Sequence, residues 1–272
     1  MLVNGESQDT IAIMDRGLQY GDGLFETIEI QSSKPLFIEQ HLARLVLGCL
    51  RLLIPPPDLV LLRDEIAQLS ANAGSAVLKI IITRGEGGRG YRQPDLIKST
   101  RILSLHPFPN YPENYYSEGI SARFCETRLG LNPLLAGVKH LNRLEQVLAR
   151  AEWRNDEFQE GLMLNIEQYV IEGTMTNLFY AKQGVLYTAP IIHCGIAGVI
   201  RAWIMTQYLV IEDYFSMETL LQADEIFVCN SIIGIWGIRE LANRHYAIGN
   251  MTKTLQHALL CEKQKQVVYE NL

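Results

Sequence analysis

Three prolines within six residues, Pro107, Pro109 and Pro112, place the strongest constraint on how this chain of 272 residues folds. Proline fixes φ, removes a backbone donor and pushes the preceding residue out of the helical region. Residues 107–113 therefore read as an extended linker between a smaller domain over 1–106 and a larger one over 114–272. An apolar content of 48% supports a substantial core in a chain long enough for two domains. In the first part Asn4-Gly5 is a hairpin signal and residues 24–30 alternate as a strand does. The turn Ser32-Ser33-Lys34-Pro35 leads to an apolar-periodic helix over 38–53, which Pro55-Pro56-Pro57 stops. Asp58 is the expected cap of a second helix ending near Gly74, and 76–83 and 101–105 read as strands around a glycine-rich loop. Beyond the linker, strands are expected over 119–127, in a cluster between 161 and 188, and over 225–238. Helices are expected over 141–153, from 195–201 onward, and over 251–263. Strands outnumber helices in both parts, so the expected fold class is α+β with two domains.

A net charge of −6 provides no basic footprint, so no nucleic-acid partner is expected. No uninterrupted apolar stretch reaches the ~18–20 residues that span a bilayer, and the start lacks the pattern of a signal peptide. Five scattered cysteines without a Cys-x-x-Cys pair suit reduced thiols in a cytoplasmic protein. The six histidines show no ligand spacing, so no metal is expected.

Several strings carry candidate chemistry. Gly137-Val138-Lys139-His140-Leu141-Asn142-Arg143-Leu144 sets a lysine in an apolar segment at the expected start of a helix. A free ammonium is costly there, and a lowered pKa would make the amine a nucleophile. Taken alone, such a lysine is more commonly a surface residue. Val170-Ile171-Glu172-Gly173-Thr174-Met175-Thr176-Asn177-Leu178-Phe179 ends a strand-like run on a carboxylate, which in isolation would simply be solvated. Gly195-Ile196-Ala197-Gly198-Val199-Ile200-Arg201 opens a helix whose free N–H groups and dipole suit an anion. Arg44, in His41-Leu42-Ala43-Arg44-Leu45, is either an anion-binding guanidinium or an exposed arginine on an amphipathic helix. The loop Thr83-Arg84-Gly85-Glu86-Gly87-Gly88-Arg89-Gly90-Tyr91 is either mobile surface or a carboxylate-binding element.

With Asp15-Arg16-Gly17-Leu18-Gln19-Tyr20-Gly21-Asp22-Gly23-Leu24-Phe25-Glu26-Thr27 near the N-terminus, these strings resemble the fold-type IV pyridoxal phosphate enzymes, the class IV aminotransferase family. The resemblance covers essentially the whole chain. It implies pyridoxal 5'-phosphate as cofactor, a two-domain α+β fold like that of D-amino acid aminotransferase, and a homodimer. It implies that Lys139, on the larger domain, is the catalytic Schiff-base lysine and that Glu172 faces the pyridine nitrogen, with Asn177 in the same wall. Arg44, Gly198, Val199, Ile200 and Ser231 are the implied phosphate contacts. Asn230, Arg89, Tyr91, Tyr20 and Thr27 are the implied substrate contacts, although packing accounts equally well for Tyr20 and Thr27.

Within the family, Lys-His-Leu-Asn-Arg-Leu and the arginine- and glycine-rich loop are similar to the aminodeoxychorismate lyases. Cys229-Asn230-Ser231 departs from the Ser-Gly-Thr type sequence of the branched-chain enzymes. That similarity implies elimination of 4-amino-4-deoxychorismate to 4-aminobenzoate and pyruvate, a step toward folate. D-amino acid or branched-chain transamination is the alternative on the same fold.

Overall fold

This computed structural model describes residues 1–154 and 156–269. The chain forms two compact units, one of residues 1–109, 138–142 and Lys263 onward, the other of 110–137 and 143–262. The crossing at Pro109–Asn110 falls inside the expected linker. Val138–Asn142 then return to the first unit, which corrects the expectation that Lys139 belongs to the C-terminal domain. Backbone pairing is the reason. Phe25 N–H donates to Lys139 O at 2.9 Å, Leu141 N–H donates to Gly23 O at 2.9 Å, and Leu24 and His140 form an antiparallel bridge. The helix expected from 141 accordingly starts only at Leu144, because 138–142 are held extended along Gly23–Gln31.

The first unit is built on an antiparallel sheet in the order Glu6–Ser7, Leu2–Val3, Thr100–Pro107, Ala76–Thr83, Gly23–Gln31, Lys34–Pro35. Asn4 and Gly5, both at positive φ (51° and 90°), make the tight turn between its first two strands. Gly23–Gln31 alternates as an edge between core and solvent must: Leu24, Glu26, Ile28 and Ile30 are buried, while Phe25, Thr27 and Glu29 are half-buried. Helix Ile38–Arg51 presents Leu42, Leu45 and Cys49 to the core that Leu24, Ile28 and Ile30 enter. It stops two residues earlier than expected, since Leu53 turns to φ 57° ahead of the three prolines. Asp58 caps Leu59–Ser70 as expected, accepting from Val60 N–H at 2.8 Å and Leu61 N–H at 3.3 Å.

The second unit carries a mixed sheet of nine strands. Its main path runs Val210–Glu212, Val185–Thr188, Asn177–Lys182, Glu225–Asn230, Gly234–Leu241, Ile120–Leu129, Glu160–Asn165, Val170–Gly173. Val170–Gly173 also pairs back onto Asn177–Lys182, so six of these strands close into a barrel-like ring. Leu162, Leu164, Val170, Leu178, Val228 and Ile238 fill its core. The run expected as one strand over 225–238 is two antiparallel strands, Glu225–Asn230 and Gly234–Leu241. Apolar composition alone did not reveal the turn, which Asn230 Oδ1 makes by accepting from Ile232 and Ile233 N–H, both at 2.8 Å. Among the described residues no helix is long and apolar enough to cross a membrane, and no His/Cys/Asp/Glu group could hold a metal ion.

Candidate active site

In the first unit most of the candidate residues lie on or against strand Gly23–Gln31 and the segment paired with it. Lys139 is half-buried, and its Nζ lies 4.3 Å from the centroid of the Phe25 ring. Lys79 Nζ approaches the same ring at 5.4 Å. The ring face attracts both cations and steers the Lys139 amine.

One residue along, Glu26 points into the core, 1% exposed, and meets helix Ile38–Arg51. Arg44 Nε donates to its Oε1 at 2.7 Å, and His41 Nδ1 lies 2.6 Å from its Oε2. Burial alone would raise the carboxyl's pKa, but Arg44 and His41 outweigh burial and hold it at about 2. Burial pushes His41 below its ordinary value despite the Glu26 contact, which keeps the imidazole neutral near pH 7. Arg44 is therefore neither a freely exposed helix arginine nor an isolated anion hook. Its guanidinium is oriented by a buried carboxylate 18 positions away in sequence, a partnership that helical periodicity could not reveal.

The expected substrate contacts of this unit fall into two groups. Thr27 shares the half-buried face of the strand with Phe25. Tyr20 sits instead under the glycine-rich loop, its hydroxyl accepting from Gly90 N–H at 3.1 Å and its ring edge-on to Tyr91 at 5.6 Å. Arg89 and Tyr91 are exposed.

In the second unit Glu172 is 2% exposed at the end of Val170–Gly173, in register with Asn177. Glu172 Oε2 accepts from Ile196 N–H at 2.8 Å, and Asn177 Nδ2 donates to Ile196 O at 2.8 Å. The backbone of one residue, Ile196, just before the helix Val199–Gln207 thus orients both side chains. Gly198, the N-cap, has no side chain to satisfy the first-turn amides of Val199 and Ile200. A Cβ at Gly198 would overlap Asn177 Oδ1, so only glycine allows this close approach. Gly137 N–H donates to Gly195 O at 2.9 Å, within the same unit. Arg201, in the first turn of helix Val199–Gln207, donates to Ala189 O at 3.0 Å and pairs with Glu212.

Ser231 opens the turn between Glu225–Asn230 and Gly234–Leu241. Asn230, expected to face a substrate, has both ends of its amide engaged. Its Oδ1 holds the turn, and its Nδ2 donates to Met175 O at 3.1 Å.

A residue missed in the sequence, Glu160, supports the Glu172 hairpin. Fully buried, it accepts from Gly161 N–H at 2.8 Å, Thr174 N–H at 3.0 Å and Oγ1 at 2.6 Å, and Thr176 Oγ1 at 2.8 Å. Burial raises its pKa in spite of these donors. Its only sequence signal is the pair of threonines around Met175, which carries no long-range information. Arg16, Asp22 and Arg84 were likewise present in quoted strings without an assigned task.

The family model for amino-transferase class IV matches residues 23–241. The chain is 38% identical to an aminodeoxychorismate lyase of Vibrio harveyi over 264 residues, covering 93% of this chain and 97% of the relative. Among solved structures, 4-amino-4-deoxychorismate lyase from Pseudomonas aeruginosa superposes with a TM-score of 0.91 at 45% identity, covering 95% of this chain and 97% of that one. The Escherichia coli branched-chain amino acid aminotransferase superposes with a TM-score of 0.82 at 26% identity, covering 95% and 92%.

Proposed function

The chain belongs to the class IV amino-transferase family, and on that premise we propose that it is a pyridoxal phosphate-dependent 4-amino-4-deoxychorismate lyase. The observation that carries this reading is full-length similarity to lyases at 38% and 45% identity, against 26% for the branched-chain aminotransferase.

The donor set fits the cofactor. Lys139 offers an amine, Glu172 a buried carboxylate with one oxygen fixed by Ile196 N–H, and Gly198 an N-cap with no side chain over the first-turn amides of its helix. Val199 and Ile200 N–H groups, with Ser231 and the pre-oriented Arg44 guanidinium, are the groups that would hold the phosphate. Bound there, the cofactor would supply an electron sink for the carbon bearing the substrate amine.

The protein's own part is proton handling and orientation. The Lys139 amine removes the proton from that carbon. Glu172, oriented by Ile196 N–H, would supply the carboxylate that favours a protonated pyridine nitrogen. The ether C–O bond then breaks, the oxygen leaves with the enolpyruvyl group, and that group takes up a proton to become pyruvate. The ring left behind aromatises to 4-aminobenzoate. Thr27, Tyr20, Arg89, Tyr91 and Asn230 remain the candidate substrate contacts, and the amide of Asn230 acts there by shaping its turn.

The test is direct: purified protein given 4-amino-4-deoxychorismate should release 4-aminobenzoate and pyruvate in equal amounts without any 2-oxo acid. Turnover that appears only with a 2-oxo acid acceptor would reassign the chain to an aminotransferase.

We also read the protein as a cytoplasmic homodimer. Leu47 and Leu50, 59% and 56% exposed on helix Ile38–Arg51, line an apolar groove with Val46 and Leu59, a surface suited to a second copy. The five cysteines are all free. Light scattering of the eluting protein should give twice the chain mass of 30.8 kDa.

A further inference from the structure

We propose that Arg16 is a positioning residue that holds the loop of residues 87–92 in its substrate-binding form and thereby sets affinity for a dicarboxylate substrate. This rests on the lyase reading, in which Arg89 and Tyr91 of that loop meet the substrate.

Arg16 is 3% exposed, and its guanidinium is engaged on two sides. Nε donates to Asp22 Oδ2 at 2.8 Å, which fixes the plane of the group. The other edge reaches the loop backbone: Nη1 donates to Gly90 O at 2.9 Å and to Arg92 O at 3.5 Å, and Nη2 donates to Tyr91 O at 3.4 Å. Gly90 is gripped from both ends, because its N–H also donates to the Tyr20 hydroxyl at 3.1 Å. The Arg16 guanidinium in turn lies 4.9 Å from the Tyr20 ring centroid. Three successive carbonyls of an irregular loop are thus collected by one planar fork, a task that the single ammonium of a lysine cannot perform.

The anchor beneath is rigid. Arg84 donates to the same carboxylate, Nε to Oδ2 at 2.8 Å and Nη2 to Oδ1 at 3.0 Å. Arg84 also donates to Leu53 O and Leu52 O, both at 2.7 Å, which ties the cluster to the end of helix Ile38–Arg51. Two guanidiniums share one carboxylate, so the cluster keeps a net positive charge. The carbonyl dipoles of residues 90–92 solvate that charge, which makes the tether charge-assisted. Gly90 itself stands at φ 93°, a conformation open mainly to glycine. A loop held this way meets its ligand already ordered, and the ordering cost is removed from binding.

The experiment compares wild-type holoenzyme with Arg16→Lys, which keeps the charge on Asp22 but loses the fork. Amide exchange at 87–92 should speed up ~10-fold or more, KM should rise ~10-fold, and kcat should stay within ~2-fold, the split of a preorganisation effect. Retention of pyridoxal phosphate should not change. A variant with lowered melting temperature but unaltered loop exchange and KM would show a merely structural arginine and overturn the proposal. So would a fall in kcat at constant KM.

Should Arg16→Lys fail to fold, Gly90→Ala loosens the same loop from its own end, with no atom within 4 Å of the added Cβ to clash. It should raise KM alike, and an unchanged KM overturns the proposal. A wild-type protein that forms no 4-aminobenzoate would overturn the lyase reading instead, while the exchange rates of Arg16→Lys would still decide the tether.

Discussion

Glu172 and Asn177 are register partners at the seam where Val170–Gly173 pairs with Asn177–Lys182, and both bond the backbone of Ile196, Glu172 its N–H and Asn177 its C=O. The carboxylate proposed to face the cofactor ring is therefore part of the pairing that closes the barrel. The Glu172 backbone is placed by the sheet and by Glu160 beneath the hairpin, and its carboxylate is oriented by Ile196 N–H.

Glu172→Gln keeps the shape and the acceptor for Ile196 N–H but no longer favours a protonated pyridine nitrogen. Turnover should fall ~10²-fold or more while affinity for pyridoxal phosphate changes by less than ~3-fold. The visible absorption of the bound cofactor should shift with ring protonation. Full activity with an unaltered spectrum would remove Glu172 from the ring nitrogen.

Lys139→Ala should abolish lyase turnover and leave the fold intact, since the pairing to Phe25 and Gly23 runs through backbone atoms. Borohydride treatment of the yellow wild-type protein should fix the cofactor to Lys139, as mapped by peptide mass. Near-normal 4-aminobenzoate formation by the variant would refute the assigned role.

Arg44→Ala should weaken cofactor retention by roughly 1.5–3 kcal/mol, the worth of a charge-assisted contact, measured by titration of the apoprotein. It also strips Glu26 of its strongest partner. Glu26 has a folded-state pKa depressed from 4.5 to about 2, so its ionised form stabilises the fold above the unfolded value. That contribution, on the order of 3 kcal/mol, is lost as pH falls from about 4.5 toward 2. Acid unfolding of Glu26→Gln should be correspondingly less steep across that window. An identical pH dependence in the variant would contradict an ionised, buried Glu26.

Gly198→Ala places a methyl against Asn177 Oδ1 at the mouth of helix Val199–Gln207. The substitution should cost about 1–3 kcal/mol of stability and lower cofactor affinity, read by melting and by titration. Adding Asn177→Ala should restore part of the stability, so the double-mutant cycle should be non-additive. Additive effects would mean that the two side chains do not compete for that space.

Local signals carried much of the fold. Asn4-Gly5, the alternation of 24–30, the Asp58 cap and the proline stop at 55–57 each act over a few residues and were legible directly. The strings around Lys139, Glu172 and Gly198 were legible as a family pattern, and the family model spans them. What the pattern left open was partnership. Arg44 read as anion-binding by resemblance, with an exposed helix arginine as the alternative, and neither reading revealed Glu26 and His41 beside it.

By itself, then, the sequence determined most element types and the family, because those depend on short-range propensity or on contiguous strings. Only the tertiary structure decided that Lys139 runs extended beside Phe25, that Glu172 closes a barrel against Asn177, and that Arg16 and Arg84 share Asp22. Those relationships join residues far apart along the chain, and nothing in the spacing of either partner encodes the other. Each exists because a buried charge or an unpaired backbone group has to find its complement, and folding alone brings that complement within reach.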